Sequence, residues 1–378
     1  MPAAPAASAD LRFMHGALAL ARLMLGRTSP NPAVGCVIVR GGRIVGRGAT
    51  AAGGRPHAEA VALARAGAKA RGATAYVSFE PCAHQGRTAP CARALVEAGL
   101  RRVVVGCVDP YPPVRGRGMA ILRAAGIEVS GGVLEDECRR LNEGFITRVT
   151  RGRPFATLKL ALSLDGRIAA ASGDSRWISS AASRALVHRW RSEADAVMVG
   201  AGTVLADNPR LTCRIAAGRD PVRVVIDGRL RCPPRARVFV ERSTAPTVLV
   251  TTSANEARAR RRYHGARVEV IGYEKARDDE IDLRALMRDF GRRGWSKVLI
   301  EGGAHLAGSA LGAGIVDRVA FFVAPIVIGA GTPAVEGLGL ARVRDAIALE
   351  GLGARRLGGD LLLEAEIAPA RRARPRRA

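Results

Sequence analysis

His57, Glu59, Cys82 and Cys91 are the residues of this chain whose types and spacing could do chemistry together. One imidazole and two thiolates form a good ligand set for tetrahedral zinc, with water in the open fourth position. Glu59 stands two residues beyond His57 at the start of a predicted helix. It can therefore approach the metal's water without binding the metal. Zinc lowers the pKa of such a water toward roughly 7. Glu59 would take the proton and pass it to a departing amine, which is hydrolytic deamination. Cys36, Cys107, Cys138, Cys213 and Cys232 lack such company and read as core or incidental residues.

The His-x-Glu and Pro81-Cys82 halves match the H-x-E…P-C-x-x-C pattern of zinc nucleobase deaminases. Eight residues separate the cysteines here, not two. A second set of signals lies in the other half of the chain. Gly200-Ala-Gly202-Thr203 follows an apolar strand, and Glu301-Gly302-Gly303 follows another and precedes a helix. Gly-rich strand-to-helix turns expose backbone N–H groups that can hold phosphate. No complete G-x-G-x-x-G is present, so a Rossmann dinucleotide fold is not supported.

These residues need elements to position them. Apolar spacing predicts a helix over 11–25, strands over 34–39 and 44–48 around a turn at 40–43, a helix over 57–70 and a strand over 75–79. A helix over 90–98, a strand over 102–107, a helix over 119–125, a strand over 127–130 and one helix over 135–149 follow. Arg151-Gly-Arg-Pro154 breaks the chain, and the domain boundary is placed there. Strands are then expected over 155–162, 196–199, 222–226, 247–251, 268–271, 297–300 and 319–323, with helices over 181–193, 281–292 and 305–313. Alternation of this kind implies two α/β domains with largely parallel sheets, 1–152 and 153–370. Residues 1–9 read as a disordered leader, and 371–378, with five arginines and no acid, as a disordered basic tail.

Composition limits the classes. At roughly 100–200 residues per domain, 378 residues make two domains or one large one. The formal net charge of +25 invites a nucleic-acid reading. Aromatic residues at 4% oppose single-strand stacking platforms. Only four basic residues are lysines (Lys69, Lys159, Lys275 and Lys297), which suits an Arg-rich compositional bias. No apolar run reaches about 18 residues, so no membrane span is expected. Seven cysteines and no signal-like segment point to a reducing, cytoplasmic setting.

The segment Glu80-Pro-Cys-Ala-His-Gln-Gly-Arg-Thr-Ala-Pro-Cys91 resembles the zinc motif of the bifunctional riboflavin biosynthesis (RibD) family. The segments 30–39 and 109–118 resemble that family's early strand and later loop. In the second half, 159–166, 172–178, 200–203, 207–214 and 301–306 resemble its reductase domain. The resemblance covers residues about 11 to 367. It implies a cytidine-deaminase-like three-layer domain followed by a dihydrofolate-reductase-like α/β domain. It also implies one Zn2+ per deaminase domain, NADPH, and a homo-oligomer, dimer or higher, through the reductase domain. The implied reactions are deamination of 2,5-diamino-6-(5-phosphoribosylamino)pyrimidin-4(3H)-one, then reduction of the ribosyl group of 5-amino-6-(5-phosphoribosylamino)uracil to ribityl.

Carried over by position, Asn31, His84 and Arg87 would hold the deaminase substrate. Ala161, Trp177, Thr203, Asp207 and Gly228 would line the NADPH site. Gly303, Ala304, His305, Leu306, Ala307, Gly308 and Ser309 would wrap its phosphates at a helix N-terminus. Lys159, Asp165, Ser175, Arg191, Arg210, Leu211, Arg214 and Glu301 would line the reductase substrate site. The chain departs from the family at Thr50, where His is common, at Tyr111, where Asn is frequent, and at Ala83 and Gly228, where Ser is frequent. Two other readings use the same features. One is a nucleic-acid base deaminase with a basic accessory domain; the other is a zinc-stabilised, non-catalytic RNA-binding protein. The cysteine spacing, the scarce aromatics and the second-half motifs oppose the first, and Glu59 opposes the second, so no nucleic-acid or membrane partner is expected.

Overall fold

The computed structural model describes residues 8–83, 89–112, 114–265, 267–277 and 280–369. His84 and Arg87, most of the expected leader and the basic tail lie outside them. The chain forms two compact units. One runs through Pro154 and takes in Phe290–Ser296; the other is Phe155–Asp289 with the chain from Lys297 onward.

In the first unit, α1 (Ser8–Arg22) precedes β1 (Gly35–Arg40), β2 (Arg43–Ala49), α2 (Ala58–Ala66), β3 (Thr74–Phe79), α3 (Cys91–Glu97), β4 (Arg102–Cys107), α4 (Arg117–Ala124), β5 (Glu128–Gly131), α5 (Glu135–Leu141) and α6 (Glu143–Arg151). The five strands form one sheet in the order β2-β1-β3-β4-β5. β1 is antiparallel to β2 and β3, whereas β3, β4 and β5 run parallel. Met14, Leu18, Ile38, Val77, Phe79, Leu95 and Leu122 are buried in its core. Glycine lets α2 lie close on β2: a Cβ at Gly48 would stand 2.1 Å from the Ala58 carbonyl oxygen. That approach sets where α2, and thus Glu59, sits above the sheet.

Two expectations need correction here. α1 begins at Ser8, so the leader does not extend to residue 9. The single helix over 135–149 is two helices broken at Asn142. The buried Asn142 amide accepts from the Ala33 N–H and donates to the Ala33 carbonyl, pinning the chain at the break. A tertiary hydrogen-bond pair thus overrides a continuous helical pattern.

The second unit contains β6 (Phe155–Ser163), β7 (Arg167–Ala170), α7 (Ala181–Glu193), β8 (Ala196–Gly200), α8 (Ala201–Asp207), β9 (Val222–Ile226), α9 (Arg237–Val240), β10 (Thr247–Thr252), α10 (Ser253–Arg262), β11 (Val268–Tyr273), β12 (Lys275–Arg277), β13 (Glu280–Ile281), α11 (Leu283–Arg292, shared at its end with the first unit), β14 (Lys297–Ile300), α12 (Ala304–Gly312), β15 (Arg318–Ala324), β16 (Gly331–Pro333), β17 (Leu349–Leu357) and β18 (Asp360–Ile367). Nine of these strands make one sheet, β11-β10-β9-β8-β14-β6-β15-β18-β17. The run from β11 to β15 is parallel, and β18 and β17 add antiparallel to one edge. This edge pair, α8 and α10 are additions to the expected elements.

Candidate active sites

Three elements of the first unit bring the metal-ligand candidates together. His57 is the residue before α2, with extended backbone (φ −70°, ψ 158°), so its ring projects from the helix end. Cys82 follows β3, and Cys91 opens α3 directly after Pro90. The Ala92 N–H donates to the Cys82 carbonyl (3.2 Å) and the Cys91 N–H to Cys82 Sγ (3.3 Å), so the start of α3 is tied to the first thiol. His57 Nδ1 lies 3.3 Å from Cys91 Sγ and 3.7 Å from Cys82 Sγ. The three ligand atoms all fall within 4.8 Å of one another. Tetrahedral zinc with ordinary Zn–N and Zn–S bonds sets such atoms roughly 3.5 Å apart. The donor set and its spacing fit zinc.

Glu59, on the first turn of α2, is 3% exposed, and the charges of His57 and Cys82 act on its carboxyl. Burial pushes its carboxyl up to about 7, so it can both hold and release a proton near neutrality. The Cys91 thiol, with His57, holds Cys82 down at about 4, while the hydrogen bond to Cys82 and burial push Cys91 up. A thiolate on Cys82 is the form a metal takes.

Asn31 stands against the turn that leads into His57, its side-chain amide donating to the Gly54 carbonyl (2.9 Å). Thr50, where the family often has His, is buried, and its hydroxyl accepts from the Val34 N–H (3.1 Å). Glu80 is absent from the expected site residues, yet its buried carboxylate accepts four backbone N–H groups from the 109–119 segment. A carboxylate at the end of an apolar strand, directly before Pro-Cys, is the signal that marks it.

In the second unit, part of the assigned set lies at the C-terminal ends of parallel strands, where open α/β sheets bind ligands. Gly200–Thr203 follows β8, Gly228 follows β9 and Glu301–Gly303 follows β14. The Gly303 N–H donates to Thr203 Oγ1 (3.1 Å), joining two of these turns, and the space over Gly202 is open. Arg191, on α7, makes a bidentate pair with Glu301: Nε to Oε1 at 2.6 Å and Nη2 to Oε2 at 2.9 Å. Its Nη1 donates to the Thr212 carbonyl (3.1 Å). Burial pushes the Glu301 carboxyl up, but Arg191 outweighs this and holds it below the ordinary value. Burial pulls Lys159 down; Glu301 opposes that shift, and Nζ lies 5.6 Å from the Phe322 ring centroid. Burial first, then the neighbouring Arg191 and Arg210, pull Arg214 down.

Ser175 donates to Asp207 Oδ1 (3.2 Å), and Arg176 donates to the Asp207 carbonyl. Trp177 is exposed beneath the Arg184 guanidinium, and Arg210 pairs with Glu241 (3.2 Å). Leu211 is buried, and Ala161 packs on the Phe322 cluster. Gly228 accepts from Asn255 Nδ2 (2.7 Å) through its carbonyl. Within 303–309 the residues differ in what they offer. Ala304, Leu306, Ala307 and Gly308 are buried, while His305 and Ser309 share Glu280 as partner, each at 3.3 Å. Asp165 has its carboxylate engaged by the Ser163 hydroxyl and the N–H groups of Ile328 and Gly329, so it clamps a loop. The strand-end turns and the N-terminus of α12 fit a phosphate-bearing cofactor.

Among the described residues, no helix is long and apolar enough to cross a membrane. Residues 7–107 match the model of the cytidine and deoxycytidylate deaminase zinc-binding region, and residues 154–363 match that of the RibD C-terminal domain. The riboflavin biosynthesis protein RibD of Aquifex aeolicus is 40% identical over 355 residues, covering 94% of this chain and 97% of that protein. RibD of Escherichia coli is 40% identical over 368 residues, with 94% and 98% covered. Among solved structures, Acinetobacter baumannii RibD superposes with a TM-score of 0.83 at 37% identity, covering 96% of this chain and 99% of that one. The deaminase/reductase of Thermotoga maritima gives 0.84 at 38%, with 95% and 99% covered. Both family models, placed in order on one chain, and these full-length relatives establish that the chain belongs to the RibD family of bifunctional deaminase/reductase enzymes of riboflavin biosynthesis.

Proposed function

We propose that the first unit deaminates a diaminopyrimidine carrying a phosphoribosylamino group, and that the second reduces the ribosyl group of the resulting aminouracil with NADPH. The observation that carries this reading is the convergence of His57, Cys82 and Cys91 around one point, with Glu59 buried on the first turn of the helix that His57 precedes. His57, Cys82 and Cys91 would hold zinc, which when bound supplies a Lewis acid that acidifies water. The Glu59 carboxylate takes a proton from the attacking water and returns it to the amino nitrogen, so that the C–N bond breaks and ammonia leaves. Asn31, His84 and Arg87 are assigned to the pyrimidine and its ribose phosphate, for which amide and cationic donors are suited.

In the second unit NADPH, when bound, supplies the hydride. Thr203, Asp207, Trp177, Ala161 and Gly228 are assigned to its site. Gly303 and the first turn of α12 are assigned to its phosphates; there Ala304, Leu306, Ala307 and Gly308 have only backbone to offer, and His305 and Ser309 can add side chains. Arg214, Ser175, Arg210, Leu211 and Lys159 are assigned to the substrate, Lys159 as a cation near Glu301 and Arg214 as a hydrogen-bond donor to its phosphate. Arg191 and Glu301 border that site as a fixed pair. Asp165 acts there through the 328–329 loop that it holds. The first unit's activity feeds the second, and both operate on small phosphorylated molecules. A homo-oligomer is part of the proposal.

One assay tests it. Zinc-loaded protein is given the diaminopyrimidine ribosyl phosphate with NADPH, and ammonia and NADPH absorbance are followed. Ammonia release followed by an equal loss of NADPH is expected. No turnover of either kind would overturn the proposal.

A further inference from the structure

Glu80 takes no part in the chemistry described above, yet it is 4% exposed and its carboxylate is fully engaged. Oε2 accepts from the N–H groups of Asp109 (3.1 Å) and Gly116 (3.0 Å). Oε1 accepts from Gly118 (3.0 Å) and Met119 (3.4 Å). The Glu80 N–H itself donates to the Cys107 carbonyl at the end of β4 (3.0 Å). One carboxylate two residues before Cys82 therefore gathers the loop after β4 and the first turn of α4.

The seat it makes is tight. Gly118 lies so close to the Pro81 carbonyl that a Cβ there would stand 1.9 Å from its oxygen. α4 is thus held against the residue that precedes Cys82. α4 also packs on α3, whose first residue is Cys91. Both thiols of the candidate zinc site are consequently referred to one point, the Glu80 carboxylate: Cys82 through the chain, Cys91 through α4 and α3.

We propose that Glu80 is a positioning residue for the metal site, fixing the spacing of Cys82 and Cys91 by anchoring α4. The proposal rests on the reading of His57, Cys82 and Cys91 as zinc ligands. Groups that orient metal ligands from outside the ligand set typically change metal affinity or activity by about 10–100-fold when lost. Glu80→Gln keeps the size of the side chain but turns an NH2 group toward two N–H donors, which cannot pair with it.

The full-length protein is loaded with Co2+, its visible ligand-field spectrum is recorded, and metal affinity is measured by competition with a chelator. Glu80→Gln and Gly118→Ala are compared with Leu18→Ala, a core truncation on α1, away from α3 and α4. The first two are expected to shift the Co2+ spectrum and weaken metal binding by about 10-fold or more, with NADPH-dependent reductase activity unchanged. Leu18→Ala is expected to lower the melting temperature with the spectrum unmoved. If Glu80→Gln does not fold, Gly118→Ala carries the test alone. Wild-type spectra and affinities within twofold for the folded variants would overturn the proposal. Failure of the wild-type chain to bind Co2+ through thiolates would instead overturn the ligand assignment.

Discussion

His57 Nδ1 lies 3.3 Å from Cys91 Sγ although the two residues are 34 positions apart in the chain. His57 directly precedes α2, Cys91 opens α3, and Cys82 follows β3. The proximity is that of two ligands sharing an ion, and removing one should cost more than any outer hydrogen bond does. Cys91→Ser is expected to weaken zinc binding by well over the about 100-fold that bounds outer-contact losses and to abolish ammonia release. Reduction of the aminouracil should persist. Zinc content by elemental analysis after dialysis checks this; full retention of zinc would count against the ligand set.

The Arg191–Glu301 pair predicts a stability effect confined to the second unit. Both side chains are about one-tenth exposed, and the pair is bidentate. Arg191→Met takes both hydrogen bonds from the buried Glu301, leaving it only the charge of Lys159 without direct pairing, and leaves the Thr212 carbonyl short of a donor. Breaking such a pair from one side costs about 3–5 kcal/mol. Denaturant titration should show that loss in the transition of the second unit. A change under about 1 kcal/mol would show that the pair is far more hydrated than its burial implies.

A network in the first unit predicts a pH window. The Arg102 guanidinium grips both oxygens of Asp10, at 2.9 Å each, and the Tyr76 hydroxyl donates to Oδ1 at 2.9 Å. Arg102 first, and Tyr76 with it, hold the Asp10 carboxyl below its ordinary 3.8. Burial and Asp10 push Tyr76 up to about 12. A lowered carboxyl pKa stabilises the fold above 3.8, and that stability is lost as pH falls through the folded value. A raised phenol pKa stabilises below the ordinary 10.0 and is lost as pH rises toward 12. Asp10→Asn is expected to cost about 1.5–3 kcal/mol at pH 7. The difference in melting temperature from the wild type should shrink below pH 3.8. A difference unchanged between pH 7 and pH 3 would refute this assignment.

What could be read from the sequence depended on how much each feature needed distant partners. The His57, Cys82 and Cys91 set was legible because a metal demands rare residue types, and their order on predicted elements brought them close. β4, β9, β14 and α7 run over the expected residues because their apolar patterns are local. The break at Asn142 was not legible, since it depends on Ala33, 109 positions away. β17 was hidden for the opposite reason: it is an exposed edge strand with little apolar alternation. Glu80 needed the 109–119 loop to reveal its role. In the second unit, the fate of Asp165 depended on a loop more than 160 residues downstream.

The central claim is that one chain carries two separate sites, with Glu59 belonging to the first alone. Glu59→Gln retains the side-chain shape and should retain zinc. Losing the general acid–base should lower deamination by about 10²–10⁴-fold. The decisive measurement assays this variant twice, once for ammonia release from the diaminopyrimidine and once for NADPH oxidation with the aminouracil. Ammonia release is expected to be lost with NADPH oxidation at the wild-type rate; loss of both in a folded, zinc-containing variant, or loss of neither, would contradict the assignment of Glu59 to the first site alone.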